Sequence, residues 1–228
     1  MSARVPVITI DGPGGSGKGT ISRSLAQRLG WHWLDSGALY RILGLQATRA
    51  GVDLADAEAL QGLCGHLEVA FDERANESVV LLAGEDVTLD LRTEQAGAAA
   101  SQVAAHPVVR TALLAWQRAY CTPPGLVADG RDMGTVVFPG ADLKVYLTAS
   151  LEERARRRYN QLKQQGFEVS IDDLLRDIAQ RDERDTQRAV APLRPAADAV
   201  VIDSSRLTID EVLQEIAALV ATKLRGLV

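Results

Sequence analysis

Gly12-Pro13-Gly14-Gly15-Ser16-Gly17-Lys18-Gly19-Thr20 is the stretch that decides the fold. A short apolar run, Val5 to Ile10, leads into it, and Ile21, Leu25 and Leu29 follow at helical spacing. A strand, a glycine loop and a helix in that order form a phosphate-binding loop. Its glycines let successive backbone N–H groups converge on one anion without Cβ clashes. The helix N-terminus adds its free donors and the positive end of its dipole. Lys18 supplies a mobile charge for β- and γ-phosphates, and Thr20 offers a hydroxyl toward a metal. Gly19 stands where this pattern usually carries Ser or Thr, so the expected metal contact through Thr20 is indirect.

Bulk properties bound the rest. A chain of 228 residues suits one domain with small inserted lobes and can bury a sizeable core. A net charge of −5 argues against a broad nucleic-acid surface, which would be basic. Cys64 and Cys121 are too few for a disulfide framework or a zinc site and fit plain thiols in a reducing compartment. No apolar run approaches a membrane span. The N-terminal stretch has one Arg4 and is stopped by Asp11, unlike a signal peptide. The expectation is a cytoplasmic protein that binds neither membrane nor nucleic acid.

Outward from the loop, Gly30 closes the first helix, and Trp31–Leu34 reads as a second strand ending at Asp35. Leu126–Asp129 reads as a further buried strand, and Leu143–Thr148 and Ala199–Ile202 as two more parallel-type strands, separated by helical patterns. Strands alternating with helices predict a five-stranded parallel sheet covered on both faces. Ligands bind such sheets at the carboxyl ends of the strands. Residues 67–91 break the alternation. Leu67, Val69 and Phe71, then Val79–Leu82, then Val87, Leu89 and Leu91 predict a three-stranded antiparallel meander, with turns at Asp72–Asn76 and Gly84–Asp86. Thr93 opens an alanine-rich helix, and Pro107 opens the next. Ser101 and Arg110 flank that break.

Three further segments carry charge near the expected ligand edge. Ser36 caps a helix on which Arg41 either reaches an anion or lies on the surface. Asp129 ends a strand beside the phosphate loop, where a carboxylate that touches a metal through water is expected, and Gly130-Arg131-Asp132 follows it. Ser170 caps a helix whose apolar stripe, Ile171, Leu174, Leu175 and Ile178, extends onto Arg181, Asp185 and Arg188. Those charges either face a buried phosphate or lace a solvated helix end by i,i+4 pairs. The basic segment Arg154 to Lys163 before it is open to a similar pair of readings. Thr208 with Glu211 makes a capping box for the last helix.

A phosphate loop implies a bound nucleoside triphosphate, and no guanine-reading Asn-Lys-x-Asp motif follows it. Phosphoryl transfer depends on positioning and charge neutralisation, for which arginine's planar fork is suited. The chain therefore reads as a kinase of a small phosphorylated acceptor. Alternatives are another acceptor, such as UMP, or a nucleotide-binding regulatory protein without transferase activity.

The motifs Gly12–Thr20, Leu34–Arg41, Ala100–Ala105, Ala128–Pro139 and Arg181–Asp185 through Arg188–Leu193 span nearly the whole chain. Together they resemble the nucleoside monophosphate kinase family and, within it, the bacterial cytidylate kinases. The Lys-Gly-Thr form of the loop is typical of that family. The resemblance implies a P-loop three-layer α/β fold with a β insert in a monophosphate-binding lobe (about 36–106, insert about 67–91) and a helical lid at about 154–170. It implies ATP as donor, Mg²⁺ as cofactor, CMP or dCMP as acceptor, and a monomer. Gly12, Pro13, Gly14, Gly15, Ser16, Gly17, Lys18, Gly19 and Thr20 would hold ATP, with Thr20 and Asp129 near the metal. Arg154, Arg157 and Arg158 would meet ATP from the lid. Ser36, Arg41, Arg131 and Arg188 would surround the acceptor phosphate. Arg181 and Asp185 would lie by the pentose, and Ser101, Arg110 and Asp132 would read the base. Lys18, Arg131, Arg181 and Arg188 would carry the catalysis.

Overall fold

The computed structural model describes residues 4–74, 77–164 and 166–225. In chain order the elements begin with β1 (Val7–Asp11), α1 (Lys18–Leu29), β2 (His32–Asp35), α2 (Ser36–Arg49) and α3 (Ala57–Cys64). They continue with β3 (Val69–Arg74), β4 (Glu77–Leu82), β5 (Glu85–Asp86), α4 (Glu94–Val103) and α5 (Pro107–Ala119). The last are β6 (Leu126–Gly130), β7 (Leu143–Thr148), α6 (Leu151–Gln164), α7 (Ile171–Gln187), β8 (Val200–Asp203) and α8 (Ile209–Lys223). The chain divides into two compact units, Met1–Asp35 with Gln117–Val228, and Ser36–Trp116.

The first unit holds a five-stranded parallel sheet in the order β2-β6-β1-β7-β8. Strand β1 is central and buried along its whole length, as its continuous apolar run requires. Ile8, Ile10, Val127, Val145 and Leu147 from the sheet pack with Ile21 and Leu25 of α1 and Val212, Ile216 and Val220 of α8. The register places Ile10 opposite Asp129, Asp35 opposite Asp129, and Thr148 opposite Asp203. With Asp11 at the end of β1, four aspartates thus reach the carboxyl edge of the sheet, where the chain enters the glycine loop. Helix ends follow local chemistry. Gly30 (φ 66°) donates its N–H to the carbonyls of Ala26 and Gln27. Ser170 accepts from Asp173 N–H, and Thr208 and Glu211 form both halves of the capping box.

The second unit pairs helices with a small antiparallel sheet, β3-β4-β5. Helices α2 and α4 approach so closely that a Cβ on Gly44 would lie 2.9 Å from that of Ala99. Ile42, Val80, Leu82, Val87 and Leu91 form the core. The meander departs from expectation in two places. Asp72 to Arg74 belong to β3 rather than to a turn, and Ala75 and Asn76 lie outside the described residues. The third strand is only Glu85–Asp86, and Val87, Leu89 and Leu91 are not a strand. Leu91 N–H donates to Val87 O at 3.0 Å, Asp90–Arg92 is a 3₁₀ turn, and Leu89 is 74% exposed. Val87 and Leu91 are four apart, so the same apolar pair satisfies a helical turn as well as an alternating strand.

Candidate active site

The glycine loop has the backbone that its composition predicts. Gly15 (φ 76°) and Gly17 (φ 92°) adopt the left-handed region, and Gly17 precedes α1 with no side-chain cap. The first N–H groups of α1 are therefore available to an anion. At Gly12 a Cβ would stand 2.0 Å from Leu147 O, so only glycine fits the approach of the loop to β7. Ser16 is buried, and its Oγ has no hydrogen-bond partner among the described residues. Lys18 is buried and donates from Nζ to Pro13 O at 2.7 Å. Thr20 lies exposed on the first turn of α1.

Two arginines distant in sequence converge on this loop. A Cβ on Gly14 would lie 3.5 Å from Arg131 Nη2 and 3.8 Å from Arg181 Nη1. Burial, and then the charge of Arg131, hold the Lys18 ammonium well below the ordinary lysine range. Arg181 pushes the same way, while Asp129 and Asp11 oppose it. Three cations crowd one glycine cradle, and a polyphosphate is the ligand that relieves them. Asp185 supplies part of the counter-charge. It is buried, and its Oδ2 accepts from Arg131 Nε at 3.0 Å. Burial raises its carboxyl, but Arg131, Arg181 and Arg188 together outweigh that and hold it below the usual range. Arg188 also donates from Nε to the Asp185 carbonyl. The charged half of the α7 stripe therefore faces inward at Asp185, and the solvated-end reading of it does not hold there.

The basic helix α6 divides its arginines. Arg154 is buried and donates to Ala149 O, to Gly14 O at 3.1 Å and to Asp182 Oδ2 at 2.6 Å. Arg157 donates to Ser16 O at 3.3 Å and to Ser204 O, and pairs with Glu153. Arg158 instead donates to Gln161 one turn along its own helix. Of the three arginines expected at the donor, two rest on carbonyls of the phosphate loop. Gln165, within the expected lid, lies outside the described residues.

The loop after β6 is set by a carboxylate that motif reasoning left without a role. Asp11 accepts from Met133 N–H at 2.8 Å and Gly134 N–H at 2.7 Å. Burial pushes its carboxyl up to about 6, against those two bonds, with Asp132 adding to the rise and Lys18 opposing it. Residues Met133–Val137 form a wide π-helical turn, which leaves Asp132, buried, at its head. Asp129 Oδ2 accepts from the indole Nε1 of Trp33 at 2.8 Å. Trp33, Asp182 and Ser204 likewise belong to no motif in the sequence. A strand-end aspartate such as Asp11 is a legible signal, whereas the other three depend on register and helix packing.

In the second unit, Ser36 is itself the first residue of α2 and is buried, with Arg41 farther along that helix. Ser101 is buried on α4. Arg110, on α5, is 8% exposed. Its guanidinium carbon lies 5.5 Å from the Tyr40 ring centroid, and Nη1 donates to Ala104 O at 3.4 Å. A guanidinium over an aromatic face is attracted by the ring's quadrupole, which helps to hold Arg110 against Tyr40. Among the described residues no group of three or more His, Cys, Asp or Glu side chains could hold a metal, and no helix is long and apolar enough to cross a membrane.

A solved gluconokinase from Sinorhizobium meliloti 1021 shares the fold, with a TM-score of 0.51 at 16% identity, over 98% of this chain and 97% of that one. The sequence relatives are far nearer. A cytidylate kinase of Stutzerimonas stutzeri (strain A1501) is 62% identical over 225 residues, 98% of each chain. Another, of Pseudomonas savastanoi pv. phaseolicola (strain 1448A / Race 6), is 59% identical over 229 residues, 100% of this chain and 99% of its own. The family model for cytidylate kinase matches residues 8–222, from the strand before the glycine loop to the last helix, and the chain accordingly belongs to the cytidylate kinase family.

Proposed function

We propose that the protein transfers the γ-phosphoryl group of ATP to the 5′-phosphate of CMP or dCMP, giving CDP or dCDP and ADP. The convergence of Lys18, Arg131 and Arg181 on the glycine loop carries this reading, together with a family pattern that spans the chain. The backbone N–H groups of Gly14 to Thr20 and the Lys18 ammonium hold the donor phosphates. Arg131 and Arg181 neutralise charge that builds on the transferred group, an effect worth about 10³–10⁵ in rate for arginines placed in this way. The acceptor phosphate oxygen is already a nucleophile, so no general base is required. Asp185 keeps Arg131 in place and, with Arg181, lies by the pentose. Arg188, Ser36 and Arg41 also take the acceptor phosphate, while Arg154, Arg157 and Arg158 serve the donor from a lid at 154–170. The 36–116 unit contains the monophosphate-binding lobe. The protein is expected to act in the cytoplasm as a monomer.

Ser101, Arg110 and Asp132 read the base. A carboxylate accepts from cytosine N4–H₂ and meets an acceptor in uracil, which leaves it unpaired. Selectivity for C over U follows. The cradle also fits a divalent cation. Asp129 is a buried carboxylate whose charge is felt at Lys18, and Thr20 stands on the adjoining first turn. Mg²⁺ carried by the nucleotide would shield charge between its phosphates and would be held through water by Thr20 and Asp129.

A coupled ADP-release assay with Mg·ATP and CMP, dCMP, UMP, AMP or GMP tests the reading, with the diphosphate product identified in each case. Turnover on CMP and dCMP well above UMP is the expected result. Equal use of UMP, or C/U selectivity unchanged in Asp132→Asn, removes the base-reading role. Tight ATP binding with no turnover on any acceptor overturns the kinase reading.

A further inference from the structure

We infer that Trp33 is a positioning residue, whose indole N–H orients the Asp129 carboxylate toward the metal-nucleotide. This rests on the reading of Asp129 as the carboxylate nearest the metal. The geometry begins with strand register. Trp33 pairs with Val127 on the adjacent parallel strand β6, and Asp129 lies two residues farther on. Side chains two apart on a strand share a face, so Trp33 and Asp129 are diagonal neighbours on one face of the sheet. An indole spans that diagonal, and its Nε1 reaches Asp129 Oδ2 at 2.8 Å.

The tryptophan is itself held in place. Its half-buried ring packs against the core cluster beneath α1 and α8. The guanidinium of Arg23, on α1, lies 5.9 Å from the ring centroid. Strand β2 is an outer strand of the sheet, and its Trp33 reaches Asp129 on the neighbouring β6. A hydrogen bond to an ionised acceptor is directional and stronger than a neutral one. One carboxylate oxygen is therefore fixed, and with it the plane of the group. Outer-sphere partners of this kind govern metal binding without touching the ion.

The test uses the full-length protein and two kinds of variant. Trp33→Phe keeps the ring and removes only the donor, while Asp129→Asn removes the carboxylate. The first readout needs no ligand. The chain has three tryptophans, so ¹⁵N-labelled protein shows three indole N–H signals, and Trp33→Phe assigns one of them. Asp129→Asn is expected to move that signal and leave the other two in place. A signal that does not move overturns the inference.

The second readout is the ratio of ADP affinities with and without Mg²⁺, measured by calorimetry. In Trp33→Phe the ratio is expected to fall roughly three- to ten-fold, at or below the low end of losses seen when outer-sphere partners are removed. Affinity for metal-free ADP and for CMP should stay within about two-fold, whereas a merely structural lesion would weaken these as well. Asp129→Asn should lower the same ratio, and the double variant should add little. If Asp129→Asn lowers the ratio and Trp33→Phe does not, the positioning role is wrong while the reading of Asp129 stands. If neither variant changes it, the reading of Asp129 fails, and the inference falls with it.

Discussion

Asp185→Asn isolates the counter-ion at the centre of the arginine cluster. In the wild type the carboxylate is 4% exposed and accepts from Arg131 Nε at 3.0 Å, with Arg131 itself 17% exposed. At an effective dielectric near 20, the attraction at that distance is about 5 kcal/mol. Desolvation of both groups offsets part of it, and removing one member of a buried pair typically costs about 3–5 kcal/mol. The amide keeps an acceptor oxygen for Arg131, so about 2–3 kcal/mol is expected. For a chain of this size that lowers the unfolding midpoint by about 5–10 °C. The pH dependence has a definite sign. The folded-state carboxyl of Asp185 lies below its ordinary value of 3.8. Its contribution is therefore present above pH 3.8 and is lost as pH falls through the depressed value. The gap between wild type and Asp185→Asn should persist from pH 7 to pH 5 and narrow only in stronger acid. Thermal unfolding across that range, with turnover measured on the same preparations, is the assay. A second consequence separates this account from a simple loss of fold. The variant leaves the cluster one negative charge poorer, so CMP should raise its midpoint by more than it raises that of the wild type. A midpoint within 1 °C of wild type (about 0.3 kcal/mol), alongside reduced turnover, would refute the counter-ion reasoning and leave Asp185 a substrate contact only.

Three other perturbations probe different contacts. The carboxyl of Asp11 is raised from 3.8 to about 6, so its contribution has the opposite sign and is full below pH 3.8 and lost as pH rises through about 6. The shift corresponds to about 3 kcal/mol, so the stability of Asp11→Asn relative to wild type should improve between pH 4 and pH 7, as followed by urea denaturation. A gap constant with pH would show that the two N–H bonds of Met133 and Gly134 at least offset burial. Gly12→Ala places a methyl 2.0 Å from Leu147 O and should cost at least about 3 kcal/mol, the upper end for overpacking, with ATP binding lost. An alanine variant that binds ATP normally would contradict the close approach of the loop to β7. Arg154→Met removes the donors to Gly14 O and Asp182 and should cost about 1–3 kcal/mol by leaving a half-buried carboxylate without its partner. Adding Asp182→Asn should recover part of that loss. If the double variant is no better than the single one, Arg154 acts on the nucleotide rather than on the fold.

Much of the architecture was legible in local pattern. The glycine loop between an apolar run and a helical stripe identified the P-loop, and five short apolar strands alternating with helices identified a parallel sheet. Gly30, Ser170 and the Thr208–Glu211 box marked helix ends because capping chemistry involves residues within one turn of each other. Sequence pattern alone does not separate a third meander strand from a helical turn here, because Val87 and Leu91 satisfy both periods, and only Val87 O accepting from Leu91 N–H chooses between them. The inward turn of Asp185 was one of two open readings for the same reason. A stripe shows which face continues, but not whether a neighbour covers it.

What the sequence determined by itself was the kind of ligand: a string that places four glycines and a lysine where a strand meets a helix commits that backbone to phosphate, whatever surrounds it. What the tertiary structure decided was which charges answer one another. Arg131 meets Asp185, Arg154 meets Gly14 and Asp182, Asp11 holds the turn that begins at Met133, and Trp33 holds Asp129. Each of these pairs joins positions far apart in the chain or on neighbouring strands. Their meeting depends on strand order and register, and a parallel sheet sets both through crossover packing rather than through any adjacent residues.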